Sequence, residues 1–190
     1  MTKVVLVIDM ERGFTDPKGT LYIGPQVQKI IPPIQHILKK ELENGSQLIF
    51  TRDVHDPDDK EFEMWPRHCV RGTWETEIAP ELAQFAKDAI IIDKRRYSAF
   101  FETNLEDVLA AIGPEEIIVT GVATDICVMF TVADLRNRDY AVTIPANAVA
   151  SFDAEAHKFA LAHMERILGA TITPDYESWL RTQTQEKKHV

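Results

Sequence analysis

Val4-Val5-Leu6-Val7-Ile8-Asp9 is an apolar, mostly β-branched run closed by a carboxylate, and its pattern recurs along the chain. A short run of this kind reads as a strand buried on both faces, as strands of a parallel sheet are. Five more runs follow: Gln47 to Thr51, Ala89 to Ile92, Ile117 to Thr120, Ala141 to Ile144 and Thr171 to Thr173. Between them lie amphipathic or polar stretches of helical length, at Pro25 to Glu43, Leu105 to Ile112, Asp125 to Arg138 and Asp153 to Leu168. Gly113-Pro114 and Gly169 stand where helix stops belong. Strand candidates alternating with helix candidates predict an α/β fold with a parallel sheet.

A chain of 190 residues suits one domain and buries on the order of 70% of its unfolded surface. We expect that domain over residues 1–182, with a polar tail at 183–190. The 30 Asp and Glu against 21 Lys and Arg give a net charge of -9, which argues against a protein that tracks nucleic-acid phosphates. No apolar run approaches the ~18 residues of a membrane span, so a soluble, cytoplasmic protein without a membrane partner is expected. Cys69 and Cys127 lie far apart with no Cys-x-x-Cys, which predicts buried or reactive thiols rather than a disulfide.

In an open parallel sheet, ligands bind beyond the carboxyl ends of the strands. Asp9 follows the first strand, Asp53 and His55 the second, Asp93 and Lys94 the third, and Gly121 to Cys127 the fourth. The stretch from Gly121 to Cys127 passes from strand to helix, with Thr124 or Asp125 as the expected N-cap. A first-turn Cys127 there has its thiol pKa lowered, beside N–H groups able to hold an oxyanion. A small buried cysteine packing the helix on the sheet fits the same segment. Asp9 and Lys94 would add a proton acceptor and a cation, which completes the set that amide hydrolysis requires. Separately, each also reads as an ordinary cap or a solvated charge.

The longest stretch without periodicity runs from Asp53 to Thr76, and long ordered loops are usually functional. Within it Asp53, His55 and His68 offer one carboxylate and two imidazoles, a donor set suited to zinc, iron or manganese, with Glu61 and Glu63 nearby. A polar loop satisfying its own backbone is the alternative. Cys69 reads as a packing residue, and His157 and His163 receive no role. Phe14, Trp65 and Tyr97 fall near the strand ends, where aromatics either wall a flat ring or pack the core.

Five segments, in order, resemble the isochorismatase-like cysteine hydrolases, and among them the nicotinamidases. They are Val4 to Met10, Thr51-Arg52-Asp53-Val54-His55, Trp65-Pro66-Arg67-His68-Cys69, Lys94 to Phe100 and Gly121 to Cys127. The resemblance implies a three-layer α/β/α fold around a six-stranded, mainly parallel sheet with Rossmann-type strand order. It implies a catalytic Asp9, Lys94 and Cys127, and a cis peptide between Val122 and Ala123 that presents the Ala123 and Cys127 N–H groups as an oxyanion hole. It further implies a divalent metal, zinc first and iron or manganese as alternatives, on Asp53, His55, His68 and Glu61. Phe14, Trp65 and Tyr97 match ring-sandwiching positions. The implied reaction is hydrolysis of nicotinamide to nicotinate and ammonia through a cysteine thioester, by a homo-oligomer acting in pyridine-nucleotide salvage.

Two departures from the family pattern bear on substrate: Trp74-Glu75 after Arg71-Gly72-Thr73, and a short segment before Lys94. They keep open a metal-free amidohydrolase for another carbamoyl or ureido compound. Vinyl-ether cleavage of the isochorismatase type does not need the cysteine, so Cys127 weighs against it. A catalytically silent member that binds a small ligand is the reading outside enzymes.

Overall fold

Seven parallel strands carry the fold in the computed structural model, which describes residues 2–186. They are β1 (Lys3–Ile8), β2 (Gln47–Asp53), β3 (Ile90–Lys94), β4 (Glu116–Val122), β5 (Val142–Pro145), β6 (Val149–Ala150) and β7 (Thr171–Thr173). Their order is β3-β2-β1-β4-β5-β7, with β6 pairing β4 beyond the end of β5. The six expected runs thus form the sheet in Rossmann order. The seventh strand has two residues, too few for any pattern to announce it.

Helices α1 (Arg12–Thr15), α2 (Pro25–Glu43), α3 (Ala83–Ala86), α4 (Leu105–Ile112), α5 (Met129–Arg136), α6 (Ala154–Arg166) and α7 (Tyr176–Glu186) complete the layers. Alternation along β1 sorts them. Val5 and Val7 face a cluster with Ile34, Ile37 and Leu38 of α2 and Trp179 of α7. Val4, Leu6 and Ile8 face Leu109 of α4, Val132 of α5 and Met164 of α6. Both faces of β1 are therefore buried, and each fully buried Val, Leu or Ile side chain stabilises the fold by about 1.5–3 kcal/mol.

The end of the chain is more structured than a polar tail. Helix α7 is stapled where Tyr176 Oη donates to Glu41, a fully buried carboxylate that also accepts from Ser46 and Lys3. The ammonium of Lys3 in turn sits 4.7 Å from the Trp179 ring centroid. The helix reaches Glu186, so the first part of the expected 183–190 tail is helical, and residues 187–190 lie outside the described residues. Among the described residues no helix is long and apolar enough to cross a membrane.

Strand order reverses at β1, which has β2 on one side and β4 on the other. The carboxyl ends of these strands open the crevice where a ligand is expected. Gly121 keeps β1 and β4 close there: its φ is 109°, and a Cβ would fall 2.0 Å from the Ile8 carbonyl oxygen.

Candidate active site

Asp9 is the residue after β1, and its φ of 51° is in the left-handed region, which Asp tolerates better than most residues. Two reciprocal bonds fix it: its N–H donates to Thr51 Oγ1 at 3.2 Å, and the Thr51 hydroxyl donates to Asp9 Oδ1 at 2.6 Å. Lys94 closes β3 and reaches across β2 to place Nζ 2.7 Å from Asp9 Oδ2 and 3.3 Å from Cys127 Sγ. A third bond runs from Nζ to the Arg96 carbonyl at 3.0 Å. The structure thus brings Asp9, Lys94 and Cys127 from three separate segments into one buried contact.

The segment holding Cys127 differs from the expectation in its details. The predicted helix from Asp125 to Arg138 is a π-helical turn, Thr124–Val128, followed by α5, and neither Thr124 nor Asp125 caps it. Their side chains are drawn to neighbouring elements instead. Thr124 Oγ1 lies 2.8 Å from His157 Nδ1 of α6, and Asp125 accepts from the Ser151 hydroxyl beyond β6. His157, given no role from sequence, therefore anchors the start of this turn. The Val122–Ala123 peptide immediately before it is cis.

Ionisation here is governed by burial. Desolvation pushes the Cys127 thiol well above its ordinary value, Lys94 offsets only part of this, and Asp9 and Asp53 add to it. The lowering expected from a helix start does not prevail. Desolvation likewise raises Asp9 despite Lys94. For Lys94, burial alone would favour the neutral amine, but Asp9, Cys127 and Asp53 outweigh it and hold the ammonium charged. The result is a protonated thiol beside a carboxylate of raised proton affinity, with a fixed cation between them.

A second cluster adjoins the first. Asp53 ends β2, and His55 and His68 each aim Nε2 at its Oδ2, at 2.9 and 3.2 Å. Glu61 places Oε1 4.0 Å from His55 Nε2. The ligand atoms of Asp53, His55, Glu61 and His68 all lie within 4.8 Å of one another, and all four residues are buried. The other imidazole nitrogens are held from outside: His55 Nδ1 by Asp59 Oδ2 at 3.1 Å, and His68 Nδ1 by the Pro66 carbonyl at 2.7 Å. Such acceptors hold the Nδ1–H groups and turn both Nε2 atoms inward, the arrangement of metal-ligating histidines once a metal displaces the Nε2 proton. Two imidazoles and two carboxylates suit zinc, iron or manganese, so the residues fit a divalent ion.

Arg96 supports the loop by contacting Asp59 at 2.9 Å and Glu61 at 3.4 Å. Burial would raise Asp59, but Arg96, the Glu61 N–H and His55 together outweigh it and hold the carboxylate well below the usual range. Asp53 is likewise held down by Lys94 and the two imidazoles against its burial. The distance from Lys94 Nζ to Asp53 Oδ1, 3.6 Å, links the two clusters.

A small cavity joins them. Asp9, Cys127, Val122 and Ala123 line one side, Asp53, Glu61 and His68 another, and Phe14, Trp65 and Tyr97 form aromatic walls. The Trp65 indole N–H donates to Tyr97 Oη at 3.0 Å, and Phe14 meets His68 edge-on at 6.1 Å. Of the residues singled out from sequence, Asp9, Phe14, Asp53, Glu61, Trp65, His68, Tyr97 and Cys127 line this cavity, Lys94 and His55 stand behind them in direct contact with Asp9 and Asp53, and the exposed Glu63 and Asp93 take no part.

Leu21, Ile126 and Phe152 also line the cavity, and sequence reading passed over them along with Asp59 and Arg96. Only the position of Asp59, four residues after His55, could have marked it. The family departure at Trp74-Glu75 lies elsewhere. Glu75 is buried and accepts from the backbone N–H groups of Thr20 (2.7 Å) and Cys69 (2.9 Å), while Trp74 packs under Arg12. Cys69 is a buried free thiol, consistent with packing.

Comparison with known proteins matches residues 3–175 to the family model described as Isochorismatase domain. The pyrazinamidase/nicotinamidase of Streptococcus mutans UA159 is 36% identical, with 90% of this chain and 99% of that one covered and a TM-score of 0.85. The pyrazinamidase of Pyrococcus horikoshii, solved in complex with zinc, is 32% identical over 90% and 98% of the chains, with a TM-score of 0.83. N-carbamoylsarcosine amidase from Thermoplasma acidophilum is 29% identical over 91% and 96%, with a TM-score of 0.81.

Proposed function

The chain belongs to the isochorismatase family, and from that premise we propose that it is a metal-dependent nicotinamidase, converting nicotinamide and water to nicotinate and ammonia. The observation that carries the reading is the meeting of two groups on one cavity: Asp9, Lys94 and Cys127 on one side, Asp53, His55, Glu61 and His68 on the other. A metal-free amide hydrolase has no use for two imidazoles whose Nε2 atoms converge with two carboxylates. The zinc complex of the Pyrococcus horikoshii relative supports zinc as the ion.

In this reading Asp53, His55, His68 and Glu61 would hold the ion, which would supply a Lewis acid able to orient a substrate ring that carries a donor nitrogen. Phe14, Trp65 and Tyr97 bind the ring faces and exclude water. Cys127 passes its proton to Asp9, and its sulfur attacks the carboxamide carbon. The N–H groups of Ala123 and Cys127 receive the oxyanion. As the C–N bond breaks, Asp9 returns the proton to the departing nitrogen, and ammonia leaves an acyl thioester. Water then attacks the thioester carbon and gives a proton to Asp9. The C–S bond breaks, nicotinate forms, and Asp9 reprotonates the thiolate. Lys94 stays charged throughout and offsets whichever of Asp9 and Cys127 is negative. The raised proton affinity of Asp9 suits it to both halves of this cycle.

The test is ammonia release from nicotinamide by the purified protein, before and after chelation, beside Cys127→Ala. Turnover abolished by both treatments supports the proposal. A folded protein that releases no ammonia from nicotinamide, or a Cys127→Ala variant that still does, overturns it. Nicotinamide turnover that survives complete metal removal would overturn the metal's part in the reading, and no turnover from a folded protein with a reactive thiol would favour the carbamoyl or ureido class instead.

A further inference from the structure

The catalytic cavity has a neighbour. A groove of about 540 Å³ runs outside it between α2 and the start of α6, lined by Lys29, Ile30, Asn147, Val149 and His157. Phe152 lines both spaces. Its ring stacks on Trp65 with centroids 6.2 Å apart and planes inclined by 26°, and Trp65 is bonded to Tyr97. Phe152, Trp65 and Tyr97 therefore make one continuous aromatic wall, with Phe152 as the panel facing the groove.

The backbone beneath this panel is held from three sides. β6 pairs with β4 so that Ala150 lies beside Val122, the residue that opens the cis peptide. The next residue, Ser151, gives its hydroxyl to Asp125 and accepts from Gln26 Nε2 on its carbonyl at 2.8 Å. The Phe152 ring itself is 39% exposed and belongs to neither core cluster. A side chain on a fixed backbone that contributes little to the core, yet separates two cavities, controls what fits rather than whether the chain folds.

We propose that Phe152 sets the size limit of the amide: it closes the catalytic cavity to one-ring substrates, and its truncation joins cavity to groove and admits aromatic amides bearing a second ring. Once the partition is gone, the second ring has Ile30 and Val149 to pack against. The statement about amides rests on the amidohydrolase reading, whereas the partition itself does not.

The two are tested separately. Alkylation of Cys127 forms an S–C bond, breaks C–I and sends the thiol proton to Asp9, so it reports passage to the thiol without any amide turnover. Labelling rates of Cys127 by iodoacetamide and by its N-phenyl derivative, followed by peptide mass spectrometry, are compared in wild type, Phe152→Ala and Phe152→Leu. Truncation to Ala is expected to speed the phenyl reagent on the order of 10-fold, as a pocket contact of this size discriminates, and iodoacetamide by no more than about twofold. Leu should fall between. Equal acceleration of both reagents, or none for the phenyl reagent, overturns the proposal. In the amide arm, Phe152→Ala should raise the ratio of kcat/KM for 5-phenylnicotinamide to that for nicotinamide on the order of 10-fold, mainly through the KM of the two-ring amide. Wild type inactive on nicotinamide would overturn the nicotinamidase reading while the labelling rates still decide Phe152.

Discussion

Replacing Asp59 by Asn keeps the side chain's size and removes its charge, and the structure makes that change costly at a distance from the substrate. The side chain is 4% exposed, and its two oxygens do different work: Oδ2 accepts from His55 Nδ1 at 3.1 Å, and Oδ1 accepts from the Glu61 N–H at 2.9 Å. Asparagine has one acceptor where Asp59 has two. If the amide NH2 faces His55, Nδ1 must accept, so the ring proton moves to Nε2, the nitrogen aimed at Asp53 Oδ2. If it turns the other way, the Glu61 N–H loses its acceptor and Glu61 loses its position. In both orientations Arg96 loses the closer of its two carboxylate partners. Loss of such an outer partner lowers metal affinity on the order of 10–100-fold, about 1.4–2.8 kcal/mol. The assay is competition for zinc against a chromophoric chelator, with circular dichroism to verify the fold. A folded Asp59→Asn whose zinc Kd stays within about threefold of wild type would refute the reasoning, because it would mean that the tautomer of His55 does not depend on Asp59.

Other perturbations follow from the same geometry. Lys94→Met leaves Asp9 buried without its cation and beside Asp53, so urea denaturation should show a loss of about 3–5 kcal/mol; an unchanged midpoint would contradict the ion pair. Because burial raises the folded-state pKa of Asp9, that variant should recover stability on acidification, as the folded state then binds the proton more tightly than the unfolded chain. Burial alone would lower His55, but Asp53 and Asp59 raise it, so the metal-free fold holds a proton there whose contribution is present below the ordinary value and lost as pH rises through the raised one. Zinc must displace that proton, so affinity should fall as pH drops through neutrality; calorimetry in two buffers that detects no proton release would count against this. Tyr176→Phe removes the hydrogen bond to buried Glu41, at the opposite end of β1 from the site, and should cost about 1.5–3 kcal/mol in thermal melts without altering activity. A parallel loss of activity would mean that the two ends are coupled.

Much of this molecule is legible in local pattern, for reasons that differ from element to element. Helices α2 and α4 are found where their apolar spacing and bounding Pro and Gly residues predict them. α2 continues over Pro32 and Pro33 because Ile30, Ile31, Ile34, Ile37 and Leu38 are buried. The segment after β4 carries helical periodicity too, yet side-chain bonds to His157 and Ser151, 33 and 26 residues away, replace the caps that neighbouring residues would supply. β6 escaped notice because two residues cannot display a period, although its pairing with β4 delivers Phe152 to the cavity.

What the sequence determines by itself is the alternation of buried strands with amphipathic helices, hence the parallel sheet, and the placement of Asp9, Asp53, Lys94 and Cys127 at strand ends, because both depend on residue types within a few positions of one another. Only the tertiary structure decides that Asp59 orients His55, that Phe152 divides two cavities, and that the Cys127 thiol is pushed up rather than down. Those outcomes depend on distances between atoms far apart in the chain and on how much water packing removes, and desolvation is a property of the assembled fold that no local stretch of residues carries.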